Sequence, residues 1–413
     1  MRKISLCMMA GLMALSLTAC NIAYVSTENQ TTGDVPVADG EGVLRVCYTD
    51  ERYKDFFEFC EKEYERLNSD VDVVIEYRSE NTDYTNKIIS DSYNNVQVAD
   101  VYMLSDYNLA NVYLAGVAMK NSFEDFNEDN YCKTALNACS YGGTLVAYPL
   151  SYDTTYMLYR SDILSKEDIS TFGNLILFSD TMETLSEEHP EIQALFSTDL
   201  NDIFLNYGYI GAGINVGGET GIDTDKIEIA TTKTLNLFEK YQAILKYYAV
   251  DGKTKYSDIF SGFTDGKYAS IIATTTNLSD LKKCELEYSI TEFPNLSNVN
   301  KTSPLSLTKC VVVNPYADDT ATASDFARFV TFEAANYLYE YSETLSARRG
   351  MTYENSDFSY IYNSYEKASI KNKLMYGEQL YPLLEIAMHN IIAGNAADEE
   401  LKKLEEYMKT QIN

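Results

Sequence analysis

Strand-like and helix-like segments alternate along the chain from residue 43 to residue 116, and this order restricts the fold more than any other feature. The segments Val43–Tyr48, Val71–Tyr77 and Val98–Leu104 are short and apolar, which is typical of strands. Between them, Lys54–Leu67 and Tyr84–Tyr93 carry apolar side chains at helical spacing. Strands that alternate with helices predict an α/β fold in which a mostly parallel sheet is flanked by helices.

Polar residues follow two of these strands. Asp50 follows the first strand, and Ser105, Asp106 and Tyr107 follow the third, before a helix that is predicted to end at Gly116. Ligands of open α/β sheets bind at the carboxyl ends of the strands, so these residues are candidate ligand contacts. Asp50 and Asp106 have a second interpretation, because an aspartate in this position also caps a following helix.

The segment Gly142–Leu164 consists of two apolar runs around a polar gap. The first run ends at Tyr148-Pro149, the gap spans Ser151 to Thr155, and the second run covers Tyr156 to Tyr159. This pattern predicts a chain that passes from one packed lobe to another. The chain length of 413 residues also favours two lobes, because one hydrophobic core rarely serves more than about 250–300 residues.

The N-terminus has the pattern of an export signal. Met1-Arg2-Lys3 precedes an apolar run from Ile4 to Leu17, and the sequence Leu17-Thr18-Ala19-Cys20 follows. This segment resembles a bacterial lipoprotein signal, which implies a signal peptide over residues 1–19, a lipid on Cys20 and anchoring to the cell membrane. An ordinary secretory signal with an incidental cysteine is the alternative. Residues 20–40 are small and polar, which predicts a flexible tether.

Charge and cysteine content exclude several classes of function. The 62 acidic residues against 33 basic ones give a net charge of −29, which repels phosphate backbones and argues against nucleic-acid binding. The cysteines after Cys20 show no spacing typical of zinc sites, so no metal site is predicted. Up to three disulfides are possible in an exported chain, and Cys132 with Cys139 or Cys284 with Cys310 are conceivable pairs. Buried free thiols are the alternative.

The sequence offers little support for catalysis or for a cofactor. Its two histidines, His189 and His389, lie outside any nucleophile motif, although a pair of glycosidase carboxylates cannot be recognised from sequence. The glycines of Gly211-Ala212-Gly213 and Gly217-Gly218 do not have dinucleotide-binding spacing, so a turn is the better interpretation. We therefore expect a binding protein without a cofactor.

Three motifs resemble one family. VLRVCYTD, VADVYMLSDYNLANVYLAGVAM and TLVAYPLSYDTTYMLYRSDIL are similar to segments of the extracellular solute-binding proteins of ATP-driven (ABC) importers, particularly the maltose-binding and related sugar-binding proteins. The resemblance implies a two-lobe periplasmic-binding-protein-like fold of type II with hinge crossings between the lobes. It places the first lobe at residues 41–151 plus 286–332 and the second at 155–283 plus 336–413.

The resemblance extends along most of the chain. The matching segments are Asn201–Gly218, a helix at Lys233–Tyr247, the motif Phe260–Ala273, the strands Ser289–Pro294 and Leu305–Val313, a helix at Asp325–Phe332, and C-terminal helices around Ala387–Gly394 and Asp398–Met408.

The family's ligand contacts fall on particular residues of this chain. They are Asp50, Ser105, Asp106, Tyr107, Tyr152, Asp153, Phe204, Asn206, Tyr207, Thr276 and Tyr381. Aromatic faces and hydroxyl-binding carboxylates suit a sugar. The chain has 35 tyrosines and no tryptophan, so Leu104, Thr276 and Tyr381 stand where tryptophan is frequent in the maltose-binding branch. For any one tyrosine, packing is the alternative role.

The resemblance also implies a function. The protein would capture a small solute, a sugar or oligosaccharide, by hinge closure and deliver it, as a monomer, to the transmembrane subunits of an ABC permease. A surface glycan-binding lipoprotein without transport, and a binding protein for a polyamine or peptide, are the alternatives. Asp153 is the contact most open to test. Its replacement by alanine is expected to abolish or greatly weaken ligand binding and to leave the melting of the empty protein nearly unchanged.

Overall fold

The structure is a computed structural model and describes residues 42–412, apart from residues 82, 180–184 and 186. The predicted signal peptide, the predicted lipidation site Cys20 and the predicted tether lie outside the described residues. Residues 41–413 form one compact unit by their contacts. Within the described residues, no helix is both long enough and apolar enough to cross a bilayer.

Strands and helices follow each other in the predicted order. The strands are β1 Val43–Tyr48, β2 Asp72–Tyr77, β3 Val101–Ser105, β4 Ser140–Tyr141, β5 Thr144–Leu145, β6 Tyr148–Arg160, β7 Ala194–Ser197, β8 Asn215–Gly217, β9 Asp223–Glu228, β10 Tyr268–Thr274, β11 Tyr288–Thr291 and β12 Ser306–Val313. The α-helices are α1 Lys54–Leu67, α2 Tyr84–Asn94, α3 Leu109–Leu114, α4 Lys133–Ala138, α5 Phe172–Phe178, α6 Ile203–Ile210, α7 Thr232–Tyr247, α8 Tyr256–Thr264, α9 Leu278–Leu281, α10 Thr320–Arg328, α11 Leu338–Ser342, α12 Phe358–Glu366, α13 Leu380–Ile392 and α14 Ala397–Ile412.

The sheet of the first lobe has the order β2-β1-β3-β12-β6. Strand β1 pairs in parallel with β2 and β3, whereas β12 is antiparallel to both β3 and β6. Every strand of this sheet except β12 therefore runs in the same direction. The carboxyl ends of β1 and β3 lie at one edge, as the α/β pattern predicted.

Strand β6 belongs to both lobes. Its first half pairs with β12, from Tyr148 with Val311 to Thr154 with Ser306. Its second half pairs with β10, starting at Thr155 with Thr274, and with β11 on its other side. Strand β7 extends the second-lobe sheet by pairing in parallel with β10. The partner of β6 changes from β12 to β10 between Thr154 and Thr155, where the resemblance predicts that the chain enters the second lobe.

The predicted gap between two strands is wrong, because residues 151–155 continue β6 and are buried. Hydrogen bonds compensate the burial of Ser151, Asp153 and Thr154, whereas the buried hydroxyl of Thr155 has no hydrogen-bond partner among the described residues. Ser151 Oγ lies 2.6 Å from Tyr53 Oη, and Thr154 Oγ1 donates to the Leu305 carbonyl at 3.2 Å. A run of polar residues can therefore form a buried strand when its hydrogen-bond partners are distant in sequence. A local sequence pattern does not reveal such partners.

Most predicted helices are confirmed to within a few residues. Helix α1 begins and ends at the predicted residues, and Phe56, Phe57, Cys60 and Tyr64 face the core. The helix predicted at Tyr107–Ala115 begins instead with a 3₁₀ turn, Asp106–Asn108, before α3. Gly116 has a φ of 72°, which fits the predicted left-handed end of this helix.

The six cysteines of the described chain are unbonded in this structure. Neither predicted pair is formed. Cys139 instead lies against Cys310, with 3.1 Å between the two Sγ atoms.

The glycine segment after α6 is a turn, as predicted from its spacing. Gly211–Gly213 form a 3₁₀ turn, and the Cα of Gly213 faces the first turn of α7. A Cβ added at Gly213 would lie 2.7 Å from Thr234 Cα, which is closer than two carbon atoms can pack. The glycine is therefore required by this close approach and not by a bound nucleotide.

Gly213→Ala is expected to lower the free energy of unfolding by about 1–3 kcal/mol, because the added methyl group forces the turn and α7 apart. Chemical denaturation measures the change. Gly252→Ala is the matched control, since a Cβ at that position meets only Leu200 Cδ1 at 3.9 Å. Equal stability of the two variants would contradict the close approach.

Candidate functional site

Two cavities lie where the lobes meet. One, of about 350 Å³, is lined by Arg52, Asp55, Thr275, Thr276, Ser279, Glu340, Tyr341, Ser342 and Glu343. The other, of about 210 Å³, is lined by Thr134, Asn137, Tyr207, Ile214, Asn215, Val216, Gly218, Glu219, Ala368, Ser369, Ile370, Asn372, Leu380 and Tyr381. Both draw residues from the first and the second lobe. Clefts between lobes are frequent binding sites, so we take these cavities and the charged groups around them as the candidate site.

Arg52 joins the first cavity to the shared strand. Its guanidinium donates to both carboxylate oxygens of Asp50, at 2.7–3.2 Å, and lies 3.6 Å from Asp153 Oδ2. Asp153 Oδ1 accepts a 2.9 Å hydrogen bond from the hydroxyl of Thr275, which belongs to the second lobe. Asp153 therefore connects an arginine of the first lobe with a threonine of the second.

Asp50 also caps the short turn that follows β1. Its Oδ1 accepts a 3.0 Å hydrogen bond from the backbone amide of Arg52, so the capping interpretation is confirmed. Burial opposes ionisation of this carboxyl, but the hydrogen bonds and charge of Arg52 outweigh burial and lower its pKa. Capping and ligand binding are compatible, because a carboxylate can accept several hydrogen bonds.

A buried ion pair lies between the two ends of the cleft. Lys309 Nζ donates to Glu80 Oε2 at 3.0 Å and to Ser105 Oγ at 2.8 Å, and both charged side chains are at most 10% exposed. Glu80 also accepts hydrogen bonds from Ser105 and Asn108. Burial opposes the charge on Lys309, but Glu80, Tyr53 and Asp153 together more than offset burial and raise the pKa of the ammonium. The predicted contact Ser105 is thus part of a hydrogen-bonded network.

Asp106 is buried without a conventional hydrogen-bond partner. It is 1% exposed, and no hydrogen bond of good geometry reaches either carboxylate oxygen from the described residues, although the backbone amides of Thr308 and Tyr107 lie near enough to favour its charged form. It does not cap the following turn, so the capping interpretation is wrong for Asp106. Burial raises its pKa to about 6, although the charges of Lys373 and Lys371 act in the opposite direction.

Lys371 lies between two of the predicted tyrosines. Its Nζ is 5.0 Å from the ring centre of Tyr107 and 5.2 Å from that of Tyr381. The Tyr381 hydroxyl accepts a hydrogen bond from the backbone amide of Asn372, and its ring lies 6.0 Å from that of Tyr207. This end of the cleft therefore combines tyrosine faces with an ammonium group.

Lys373 holds the two lobes together beside Asp106. Lys373 is 4% exposed, and its ammonium donates to the backbone carbonyls of Asn137, Ala138 and Ser140, at and just beyond the C-terminal end of α4. The carbonyl end of a helix carries partial negative charge and favours a cation. Asn137, one of the three acceptors, also lines the 210 Å³ cavity.

Asp106 gives the empty protein a specific pH dependence. A carboxyl whose pKa is about 6 in the folded state and near 4 in the unfolded state favours folding only while it is protonated. The stabilising contribution of Asp106 to the free energy of unfolding is present at low pH, and it is lost as the pH rises from about 4 through about 6. Asp106→Asn is therefore expected to raise stability at pH 7 by about 1–3 kcal/mol and to flatten the profile.

Thermal unfolding of the ligand-free protein between pH 4 and pH 8 measures this effect. Asp100 also has a pKa raised to about 6 by burial, so the wild-type profile contains both groups. Asp100→Asn is the matched control. The pH dependence of stability that remains in this variant is the contribution of Asp106. Identical profiles for wild type and Asp106→Asn would contradict the prediction.

Other predicted contacts lie inside the cores of the lobes. Tyr152 is 2% exposed and stacks on Tyr365 with ring centres 4.1 Å apart. The side chain of Asn206 makes its hydrogen bonds within the second lobe. Its amide nitrogen donates to the backbone carbonyls of Asp199 and Asp202, and its oxygen accepts from the Tyr241 hydroxyl. Phe204 packs against the second-lobe core. Tyr207 is 4% exposed but lines the 210 Å³ cavity.

The sequence did not single out several charged residues of the cleft. Arg52, Glu80, Lys309, Lys371 and Lys373 were all missed. Lys309 had a recognisable signal, because it is the charged residue within the otherwise uncharged strand SLTKCVVV. A lysine inside a buried strand requires a partner, which is Glu80 here. The two C-terminal lysines had no such signal.

Within the described residues, no group of three or more histidine, cysteine, aspartate or glutamate side chains could hold a metal ion. His389 uses Nε2 for a 3.1 Å hydrogen bond with the Leu200 carbonyl, and His189 faces Glu191 at the surface. These contacts account for both histidines as structural groups.

Two sheets that share a strand, with charged and aromatic groups in the cleft between them, define a two-lobe binding protein. The family model for bacterial extracellular solute-binding proteins matches residues 61–355. The chain belongs to this family. No curated protein matches the sequence significantly.

Solved structures of the same fold contain sugars. An extracellular solute-binding protein from Staphylococcus aureus in complex with maltose is 15% identical, with a TM-score of 0.77 over 90% of this chain and 98% of the other. A cyclo/maltodextrin-binding protein with maltotetraose is 14% identical, with a TM-score of 0.77 over 91% and 99%. The maltose-binding periplasmic protein from Listeria monocytogenes with maltose is 18% identical, with a TM-score of 0.74 over 90% and 98%.

Proposed function

We propose that this protein captures a sugar or oligosaccharide in the cleft between its lobes and delivers it to the permease of an ABC importer. The observation that supports this most is the joint at Asp153, where Arg52 of the first lobe and Thr275 of the second converge on one carboxylate of the shared strand. A ligand that bonds to these groups contacts both lobes at once. It therefore stabilises the closed arrangement by its differential affinity.

The chemistry of the cleft suits hydroxyl-rich ligands. Sugars bind through carboxylate and guanidinium groups to their hydroxyls and through aromatic faces to their apolar side. Arg52 and Thr276 line the 350 Å³ cavity, and Asp50 and Asp153 both contact the Arg52 guanidinium. Tyr107 and Tyr381 supply aromatic faces at the other end. The solved structures of this fold that contain maltose or maltotetraose support the same ligand class.

Calorimetry with a panel of maltose, maltotetraose, a long α-glucan, spermidine and a dipeptide tests the proposal. We expect binding of a short saccharide, together with a smaller radius of gyration by X-ray scattering when it is added. A cationic solute is the second candidate, because Asp55 and Glu340 line the 350 Å³ cavity beside a single arginine. Binding of spermidine alone would replace sugar by polyamine as the ligand.

Delivery to a permease is separate from binding. A protein that prefers the long α-glucan and shows no compaction would be a surface glycan-binding lipoprotein without transport. Vesicles that contain the permease encoded with this protein, with ATP hydrolysis as the readout, distinguish the two. Stimulation of hydrolysis only by the ligand-loaded protein supports import.

Membrane anchoring through Cys20 is also part of the proposal. The basic residues, apolar run and small residues before this cysteine support cleavage after Ala19 and lipidation of Cys20. Cys20→Ser is expected to move the protein from the membrane fraction to the soluble extracellular fraction. An unchanged membrane fraction would contradict lipidation at this residue.

A further inference from the structure

Two buried thiols of the first lobe are in direct contact. The Sγ atoms of Cys139 and Cys310 lie 3.1 Å apart, and both residues are 0% exposed. This distance is shorter than the roughly 3.5–4.0 Å at which non-bonded carbon atoms rest, and sulfur is larger than carbon. The two sulfurs therefore lie closer together than a packed but unbonded pair prefers.

Rigid elements bring these thiols together. Cys139 ends α4, and its backbone amide bonds to the Ala135 carbonyl. Cys310 lies in the middle of the sheet, where β12 pairs with Leu104 of β3 on one side and with Pro149 of β6 on the other. The contact therefore joins residues 171 positions apart through a helix end and a central strand.

We propose that Cys139 and Cys310 form an intramolecular disulfide in the exported protein. The proposal rests on membership of an extracellular family, since disulfides form and persist in oxidising compartments, and it does not depend on the identity of the ligand. It replaces the two pairings that the sequence suggested, because Cys139 faces Cys310 and not Cys132.

The chemistry is a thiol–disulfide exchange. One cysteine, as its thiolate, attacks the disulfide of an extracytoplasmic oxidoreductase and forms a mixed disulfide. The second thiolate then displaces the enzyme, which leaves as a dithiol. The two cysteines lose two protons and two electrons, and the enzyme's disulfide gains them. Because both thiols are inaccessible in the folded chain, the exchange takes place before folding is complete.

The bond would fix one side of the cleft. Cys139 follows the carbonyls of Asn137 and Ala138, which bind the Lys373 ammonium. Cys310 is adjacent to Lys309, which binds Glu80. A covalent link between the end of α4 and β12 therefore fixes the relative positions of two charged contacts of the site, that of Lys373 with α4 and that of Lys309 with Glu80. A link that closes so long a loop also restricts the unfolded chain strongly.

Mass spectrometry of the full chain, exported by a bacterial host to an oxidising periplasm, tests the proposal. The protein is denatured without reductant in the presence of iodoacetamide and then digested. We expect a peptide pair linked through Cys139 and Cys310, which disappears after reduction. Recovery of both cysteines in alkylated form, or linkage of either one to another cysteine, would overturn the proposal.

Thermal unfolding gives a second readout. Reduction is expected to lower the Tm of the exported protein by roughly 10 °C, because the closed loop is long. The double variant C139S/C310S should have a Tm that does not respond to reductant. Cys60→Ser is the matched control, since Cys60 is equally buried but lies in the aromatic core, and its Tm should still fall on reduction. Loss of the response in Cys60→Ser would contradict the assignment.

Discussion

Asp153→Asn is expected to weaken saccharide binding by about 10- to 100-fold, because a hydrogen bond to a charged group contributes about 1.5–3 kcal/mol. Asp153 is 9% exposed and lies between Arg52 and Thr275, so its charge acts where the two lobes meet. The amide keeps an oxygen that can accept from Thr275, but it no longer attracts the guanidinium. Calorimetry with maltotetraose, or with the tightest saccharide of the panel, measures the change in Kd.

The structure shows why asparagine is a better test here than alanine. Asp153→Ala would leave the Thr275 hydroxyl without its acceptor, so the empty protein would also lose stability. A loss of binding could then reflect either effect. Asp265→Asn is the matched control, because Asp265 is exposed and pairs only with Lys267 in the described residues. Unchanged affinity in Asp153→Asn would leave β6 as a hinge strand without a ligand contact.

Lys309→Met is expected to lower the free energy of unfolding by about 3–5 kcal/mol, because it leaves the carboxylate of Glu80 buried without its cation. Glu80 is 7% exposed at its side chain, so water cannot replace the ammonium. Ser105 and Asn108 still donate to Glu80, which limits the loss. The corresponding fall in Tm is roughly 5–15 °C by calorimetry.

A double variant separates the charge effect from lost packing. Lys309→Met combined with Glu80→Gln removes both charges and should recover a large part of the stability lost in the single variant. Lys402→Met is the control, since the Lys402–Asp398 pair is exposed on α14 and should contribute less than about 1 kcal/mol. Equal stability of the single and double variants would show that the ion pair is not the cause.

Local sequence patterns were sufficient for most helices and strands. The apolar side chains of α1 repeat at helical spacing, and β1 is a short, mostly apolar run that ends at Tyr48, so neighbouring residues decide these elements. Strand β6 was split in the prediction, because its five central residues are polar. Their partners come from β12, β10 and residue 53, which local periodicity cannot reveal.

In the candidate site, too, some residues were recognisable from local sequence and others depend on partners that are distant in sequence. Asp50 and Asp106 were recognisable, because each follows a strand of an alternating α/β pattern. The charges of Arg52 and Lys309 are balanced by carboxylates that lie close to them in space. Lys309 and its partner Glu80 are 229 positions apart in the sequence. Tyr152 and Asn206 were expected at the ligand, and the structure places the first against Tyr365 and the second in contact with Tyr241. Their roles in ligand binding stay predictions.

The sequence by itself determined the α/β class and the order of most elements. These features depend on the spacing of apolar side chains along a few consecutive residues. The tertiary structure alone decided which charges meet at the cleft, that β6 is continuous, and that Cys139 faces Cys310. The physical reason is that burial makes a polar or reactive group depend on partners brought together by folding, and a linear pattern does not contain their distances.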